Sequence, residues 1–440
     1  MTNDANNNQT SRRNFVKQTS LIAGGLMAAP FLTRANYFSG SSDVIKIALI
    51  GCGGRGTGAA SQALLTKQNI KLVAMADAFR DRLDGAYKEL TTNGEIDASR
   101  IDVPEDRKFV GFDAYQKAIA LADVVILATP PGFRPIHFEE AVKQNKHIFM
   151  EKPVATDPAG VQRVLAAAQT AKQKKLNVVV GLQRHFQNSY RELIKRKDLI
   201  GEMTSAQAWW NNDGVWVRPR KPGQTEMEYQ MRNWYYFVWL CGDHITEQHI
   251  HNLDVINWFK GSYPIKAQGM GGRQVRTGKE YGEIFDHHYV EFHYADGFIL
   301  NSQCRHIPGT MSKVDELFVG TKGKIQTGAA NIVDHKGKVL YQYDRKAENN
   351  PYQTEHDELF EAIAKGEYKF DQAENGAKSS MTSILGRMAT YSGQIIEWDK
   401  AINSGLDLHP KTYTWDTVPP VTPDAEGYYA VAKPGVTKYV

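Results

Sequence analysis

Cysteine is scarce in this chain, and neither sign of charge dominates. The three cysteines, Cys52, Cys241 and Cys304, are an odd number at unrelated spacings in 440 residues. That excludes a disulfide framework and a cysteine-based zinc pattern, and each is expected to be a small buried residue. The net charge is only +4, and no basic tract is interleaved with aromatics, so nucleic acid is not an expected partner. Beyond the first 35 residues no apolar run is long enough to cross a bilayer, and there is no internal repeat or low-complexity tract. What is present is an ordinary globular balance, 42% hydrophobic and 23% charged, on a chain too long for one core. Two folded domains are the expectation.

The N-terminus reads "SRRNFVKQTSLIAGGLMAAPFLT". Paired Arg12 and Arg13 precede an apolar run of signal-peptide length that is too short and too rich in Gly and Ala to span a membrane comfortably. The stretch resembles a bacterial twin-arginine export signal, covering 1–35, with a polar linker over 36–43. That route carries folded proteins, so the resemblance implies a cofactor-holding protein of the periplasm, or one tethered to the membrane if the signal stays uncleaved. No other stable membrane insertion is expected.

From residue 44 to 186 apolar β-branched runs alternate with helical patterns, the mark of a parallel sheet covered on both faces. The first run, Ile45 to Ile50, ends in Gly51-Cys52-Gly53-Gly54-Arg55-Gly56, opens a helix, and is followed some twenty residues on by Asp77 at the end of the next run. In that context the glycines have distinct jobs. Gly51 permits the tight turn, Gly53 lets a pyrophosphate approach the backbone, and Gly56 lets helix and strand pack closely. Gly54 and Arg55 lie at the helix N-terminus that would face the phosphates. Asp77 would accept from ribose hydroxyls and repel a 2′-phosphate, so NAD is expected before NADP. After about residue 187 the segments become aromatic and alternate in pairs, as in "HHYVEFHYADGFILNSQCRH", which reads as a hairpin turned at Asp-Gly. An open antiparallel sheet flanked by helices is expected over 187–407, serving substrate and oligomerisation. An irregular, Pro-rich tail follows over 408–440.

The stretch "GDHITEQHIHNLD", residues 242 to 254, packs three histidines among acids and amides. If 242–260 is one helix, His244, Glu247 and His251 share a face, with Gln248 beside them and His249 pointing away. Removing hydride from an alcohol carbon needs a base for the hydroxyl proton; His251 suits that near neutral pH, with Glu247 orienting it. The same three side chains could face a cation, but the spacing is not that of zinc proteases and no metal is expected. A solvated helix face is the structural alternative. Arg184 and His185 follow the last strand of the first domain, where ligands gather. The blocks "WWNNDGVW" and "RNWYYFVW", with Trp234, offer faces on which sugar rings stack, or simply form core.

"ATPPGFRPIH", "MEKP" and "VGLQRHF", each after a strand and in this order, resemble the glucose–fructose oxidoreductase / inositol dehydrogenase (Gfo/Idh/MocA) family. "GTKGKI" and "AKSSMTSILGRMATYSG" add to the likeness, which runs from Val44 to about Lys400. Glu151-Lys152-Pro153 is its most specific motif. The resemblance implies that Lys152 lies beside the nicotinamide and the substrate hydroxyl. It implies further cofactor contacts from Thr129, Pro130, His137, Glu151 and Gln183; Arg184, His185, Gln248 and Trp234 are the expected substrate contacts from their positions in the chain. Glu247 falls where the family has an aspartate and His251 falls on its histidine, while His244 and Gln248 are additions that bear on the substrate. The implied activity is an NAD-dependent oxidoreductase acting on a secondary hydroxyl of a sugar, sugar derivative or glycoside, as a homodimer or homotetramer. Two alternatives stand beside it. One is an NAD-dependent glycoside hydrolase working by transient ring oxidation, elimination, water addition and re-reduction. The other is a non-catalytic sugar- or NAD-binding module.

Overall fold

The computed structural model describes residues 43–439. The expected export signal, and all but the last residue of the expected linker, lie outside them. Six strands form a wholly parallel sheet: β1 (Ile45–Ile50), β2 (Ile70–Asp77), β3 (Lys108–Val110), β4 (Val124–Leu127), β5 (His147–Met150) and β6 (Val178–Val180), in the order β3-β2-β1-β4-β5-β6. Strands β1, β4, β5 and β6 are buried almost throughout, because helices cover both faces and leave no side for polar residues. The register decides where function can sit. Ile50 pairs with Ala76 and Leu127, Leu127 with Met150, and Met150 with Val180. The residues that follow, Gly51, Asp77, Ala128, Glu151 and Gly181, therefore line one carboxyl edge, and the order reverses direction between β1 and β4, where such sheets open a crevice.

The second sheet has nine strands: β7 (Met203–Asn212), β8 (Lys266–Gly272), β9 (His287–His293), β10 (Ile299–His306), β11 (Lys313–Gly320), β12 (Gly323–Gln326), β13 (Asn331–Asp334), β14 (Val339–Gln342) and β15 (Ile396–Glu397), in the order β14-β13-β12-β11-β7-β10-β9-β8-β15. It is mixed rather than purely antiparallel, because β10 runs parallel to β7. The excursion between them returns the chain to the end at which β7 began, and an alternating pattern carries no record of that direction. The hairpin at Asp296-Gly297 is present, with Gly297 at φ +85°. Buried and half-buried residues alternate along β9 and β10. The buried face packs on the helices Ile250–Lys260 and Ala373–Ser392, and the latter also packs on the first domain's helix Pro158–Gln173. The helix Pro351–Ala364 crosses back to the first domain, where Leu359 and Phe360 join its core beside Ile47 and Leu49.

All three cysteines are free and buried. No helix among the described residues is long and apolar enough to cross a membrane.

The tail carries no helix or strand after Ile402, yet it is anchored. Tyr413 packs on Phe112 and Phe133, and Trp415 on Phe79 and Phe112. His409 Nδ1 lies 3.0 Å from Asp157, which also accepts from the Leu408 amide at 2.8 Å. Burial disfavours the charged ring, but Asp157 and Asp407 more than offset it and lift His409 to about 9. A raised folded value means that the stabilisation is full below the free imidazole's ordinary 6.5 and fades as pH rises through about 9. Denaturant unfolding of the wild type is expected to weaken across that window by about 1–3 kcal/mol, and that of His409→Gln to change less. Equal pH slopes for the two proteins would show that the latch contributes nothing.

Candidate active site

Two cavities adjoin the carboxyl edge of the first sheet. The larger, about 330 Å³, runs along Gly51, Gly53, Gly54 and Gly56, past Asp77 and Arg82, to Thr129, Pro130 and His137. Gly51 sits at φ +95°, and a Cβ there would lie 2.4 Å from the Thr129 nitrogen. A Cβ on Gly56 would lie 1.9 Å from the Gly51 carbonyl oxygen. Gly53 and Gly54 are different, since a Cβ on either meets nothing within 4 Å. The first pair is glycine for the protein's own packing, and the second leaves open the space at the helix N-terminus where phosphates bind. This cradle fits a dinucleotide. Asp77 accepts from the amides of Cys52 at 2.7 Å and Phe79 at 2.9 Å, which holds its carboxylate at the cavity wall. Burial raises Asp77, and those two amides pull against it.

Replacing Asp77 by Asn removes the charge that repels a 2′-phosphate. The ratio of NADP to NAD affinity is expected to rise about tenfold or more. An unchanged ratio by calorimetry would leave Asp77 the sole task of holding the turn.

The second cavity, about 320 Å³, is continuous with the first in its lining, as Arg55, Ala128, Thr129 and Trp234 belong to both. Lys152, Glu247, Gln248 and His251 complete its polar wall, with Trp210 and Tyr352. Lys152 Nζ donates to the Glu247 carbonyl at 2.7 Å and to its Oε1 at 3.1 Å. Burial pushes the Glu247 carboxyl above its ordinary range, and Lys152 draws it back. His251 stacks on Trp210 with ring centroids 5.7 Å apart. Burial, followed by the cations Lys152, Arg184 and Arg55, holds its imidazole well below its ordinary value. It is a neutral base at the wall. Glu151 does not face Lys152 but pairs with Arg55, which also reaches Glu355 at 3.2 Å. Gly181 makes room for it, since a Cβ there would lie 2.7 Å from the Glu151 carboxylate.

Several expected positions are placed differently. The span 242–260 is not one helix. Gly242 and Asp243 take positive φ, a short turn covers His244–Glu247, the His249 amide reaches back to the His244 carbonyl, and a new helix begins at Ile250. The break spoils the even rotation on which a shared face depends. Glu247 and His251 still reach the cavity, while His244 turns into the core, stacked on His306 at 4.4 Å. Glu247 partners Lys152 rather than orienting His251. Arg184 is paired with buried Glu316, and His185 Nε2 lies 2.7 Å from Asp254, so neither lines the cavity. Gln183 stands one step back, donating to the Tyr352 hydroxyl at 3.2 Å.

Arg134 escaped sequence reasoning. It is buried, donates to the carbonyls of Glu151 at 3.0 Å and Thr129 at 2.6 Å, and is lowered to about 10 by burial. It fixes the two loops that meet between the cavities. Its place after "ATPPGF" was visible; its inward orientation was not. His137, whose Nδ1 lies 3.2 Å from the Thr129 hydroxyl, is lowered to about 3 by burial and Arg134 and is neutral. Trp216, Arg218 and Arg232, from the flagged aromatic blocks or beside them, close the dinucleotide cavity from the second domain.

A parallel sheet ordered 3-2-1-4-5-6, a glycine cradle at its switch point and a second sheet domain closing over it define a two-domain dinucleotide-binding fold. Residues 45–181 match the family described as "Oxidoreductase family, NAD-binding Rossmann fold". That stretch is similar to the NAD-binding domain of Gfo/Idh/MocA oxidoreductases. An inositol 2-dehydrogenase of Ralstonia nicotianae is 28% identical over 238 residues, 53% of this chain and 59% of that protein. A 2,7-anhydro-N-acetylneuraminate hydratase of Escherichia coli is 26% identical over 212 residues, 47% of this chain and 51% of that protein. The chain thus spans between half and three-fifths of the length of these two relatives. Among solved structures, scyllo-inositol dehydrogenase from Lactobacillus casei with NAD(H) and scyllo-inositol superposes with a TM-score of 0.60 at 19% identity, over 81% of this chain and 100% of that one. Aldose-aldose oxidoreductase from Caulobacter crescentus gives 0.61 at 17%, with the same coverage.

Proposed function

We propose that this protein is an NAD-dependent oxidoreductase that oxidises a secondary hydroxyl of a sugar, a sugar derivative or a cyclic polyol. The observation that carries the proposal is the Lys152–Glu247 pair on the wall of the second cavity, which shares Arg55, Ala128, Thr129 and Trp234 with the dinucleotide cavity, with His251 on the same wall. The nicotinamide supplies a hydride acceptor when bound. Thr129, Pro130 and His137 line its end of the cleft, and Asp77 the adenosine end. The chain's own residues handle the proton. As the carbinol carbon gives up hydride, the hydroxyl proton passes to His251 Nε2 or, through Lys152, to the Glu247 carboxylate. Lys152, with three donors, orients the hydroxyl oxygen and stabilises negative charge on it. Trp210 and Trp234 offer flat faces to the ring's C–H groups.

A periplasmic setting, reached by the export signal, would offer little free NAD to exchange, and this favours a captive cofactor. The roof of Trp216, Arg218 and Arg232 supports such retention. A homo-oligomer would bury the open face of the second sheet, where Met270 is 74% exposed. A second reading keeps the oxidation transient within one turnover, giving net elimination, hydration or glycoside hydrolysis. It is favoured by the likeness to a hydratase and by a neutral His251 able to take a ring-carbon proton.

The test uses undialysed protein, denatured and assayed for released NAD(H), then native protein screened against polyols and glycosides without added NAD. One cofactor per chain, with nicotinamide reduced by a polyol or sugar, supports the first reading. Product without net reduction supports the second. A protein that neither holds nor binds NAD overturns both.

A further inference from the structure

His244, turned away from the cavity, belongs to a second cluster. Asp243, His244 and His288 are all fully buried, and one ligand atom from each lies within 4.8 Å of the others. His244 Nδ1 lies 2.8 Å from Asp243 Oδ1, and His288 Nε2 lies 3.2 Å from Oδ2. Neither contact is a hydrogen bond: both ring nitrogens of His244 and Nε2 of His288 are buried without a partner. Close approach with the wrong direction is what nitrogen and oxygen show when both face a third atom. Two ligands of one tetrahedral zinc, each about 2.0–2.1 Å from it, sit about 3.3 Å apart.

The tautomer of His288 sharpens the point. The Thr390 hydroxyl donates to the helix carbonyls of Gly386 and Arg387. With its one proton directed to a carbonyl, it accepts from His288 Nδ1, 2.9 Å away. In that tautomer Nε2 presents a lone pair to a carboxylate oxygen, two acceptors opposed at 3.2 Å in a dry interior. A cation between them removes the conflict, and an imidazole whose other nitrogen donates to a fixed acceptor is the usual metal ligand. Asp243 Oδ1 accepts only from the His244 amide, at 2.5 Å, and so keeps a lone pair. Oδ2 is held by the Phe285 amide at 3.0 Å and the Tyr391 hydroxyl at 2.5 Å. Among the described residues no lysine or arginine forms an ion pair with Asp243. The buried guanidinium of Arg387 donates instead to the Gly242 carbonyl. Asp243 also stands at φ +71°, ψ 163°, a conformation that costs a non-glycine residue about 1–3 kcal/mol and persists only where surroundings hold it.

We propose that Asp243, His244 and His288 bind one zinc-class divalent cation, a site separate from the dinucleotide and substrate cavities. Two imidazoles and a carboxylate suit zinc, with cobalt as its spectroscopic substitute. The ion ties β9 to the turn that carries Glu247 and Gln248. His306, stacked on His244, donates from Nε2 to Gln248 Oε1 at 2.8 Å and passes that rigidity to the cavity wall.

The experiment measures metal by mass spectrometry on full-length protein purified without a metal column from zinc-containing medium. The protein is then unfolded with chelator and refolded with cobalt(II). The expected result is one zinc per chain and a cobalt visible spectrum that saturates at one equivalent, with both lost in folded His288→Gln. Wild-type protein that holds no metal and gives no cobalt spectrum overturns the proposal, and assigns the cation between Asp243 and His288 to a proton. Metal that persists in folded His288→Gln overturns it as well. If the variant fails to fold, the cobalt titration of the wild type decides.

Discussion

Replacing Lys152 by Met is expected to slow substrate oxidation by about a hundred- to ten-thousand-fold while leaving the NAD content of the purified protein unchanged. The side chain is 13% exposed, and its ammonium is shared between the Glu247 carbonyl and carboxylate. Met keeps the apolar stem and removes only the donors. Two losses follow. The substrate oxygen loses the cation that steadies it as its proton leaves, and Glu247 loses the partner that offsets its burial. A carboxyl already pushed upward by burial is then raised further and becomes a poorer home for the ionised form that accepts the proton. Because both effects act through one pair, they do not add. Lys152→Met/Glu247→Gln is expected to lie close to Lys152→Met alone, with an interaction energy of about 0.5–3 kcal/mol. Single-turnover reduction of bound nicotinamide is the measurement. A loss below tenfold would remove Lys152 from the proton path and leave His251 as the base.

The second large effect concerns the cradle. Gly56→Ala is expected to abolish NAD retention and destabilise the fold by about 1–3 kcal/mol. Its Cβ would sit 1.9 Å from the Gly51 carbonyl oxygen and 3.2 Å from the Ala128 Cβ. Gly51 has no room to yield, because it is itself at φ +95° against Thr129. Gly53→Ala is the contrasting case. Nothing in the protein lies within 4 Å of that Cβ, so stability should stay within about 0.5 kcal/mol of wild type. NAD affinity should still fall at least tenfold, as the methyl takes space where a phosphate approaches. Denaturant unfolding together with NAD titration separates the two. If Gly53→Ala binds NAD normally, the pyrophosphate does not lie where the cradle is open.

The dinucleotide half of the site was legible because its determinants are local. A strand's terminal residue, the glycines of the next turn and the helix that follows are neighbours in the chain, so Gly51, Gly53, Gly56 and Asp77 could be assigned from spacing. Pairing of buried apolar runs then forced Ala128, Glu151 and Gly181 to the same edge. Lys152, Glu247 and His251 were reachable by motif. The partners of these groups were not. The wheel over 242–260 failed at His244, because Gly242 and Asp243 leave helical space and the chain restarts at Ile250. Arg184 and His185 stand after a strand, as ligand-binding residues do, yet Glu316 and Asp254, far along the chain, claim them.

By itself, then, the sequence determined the parallel sheet, the nucleotide cradle and the list of candidate groups, since periodicity and turn chemistry act over a few residues. Only the tertiary structure decided the direction of β10 beside β7, the pairing of Lys152 with Glu247 and the withdrawal of His244 into a cluster with Asp243 and His288. Each of those depends on contacts between segments tens to hundreds of residues apart. Burial and charge compensation select such contacts, and no local pattern records them.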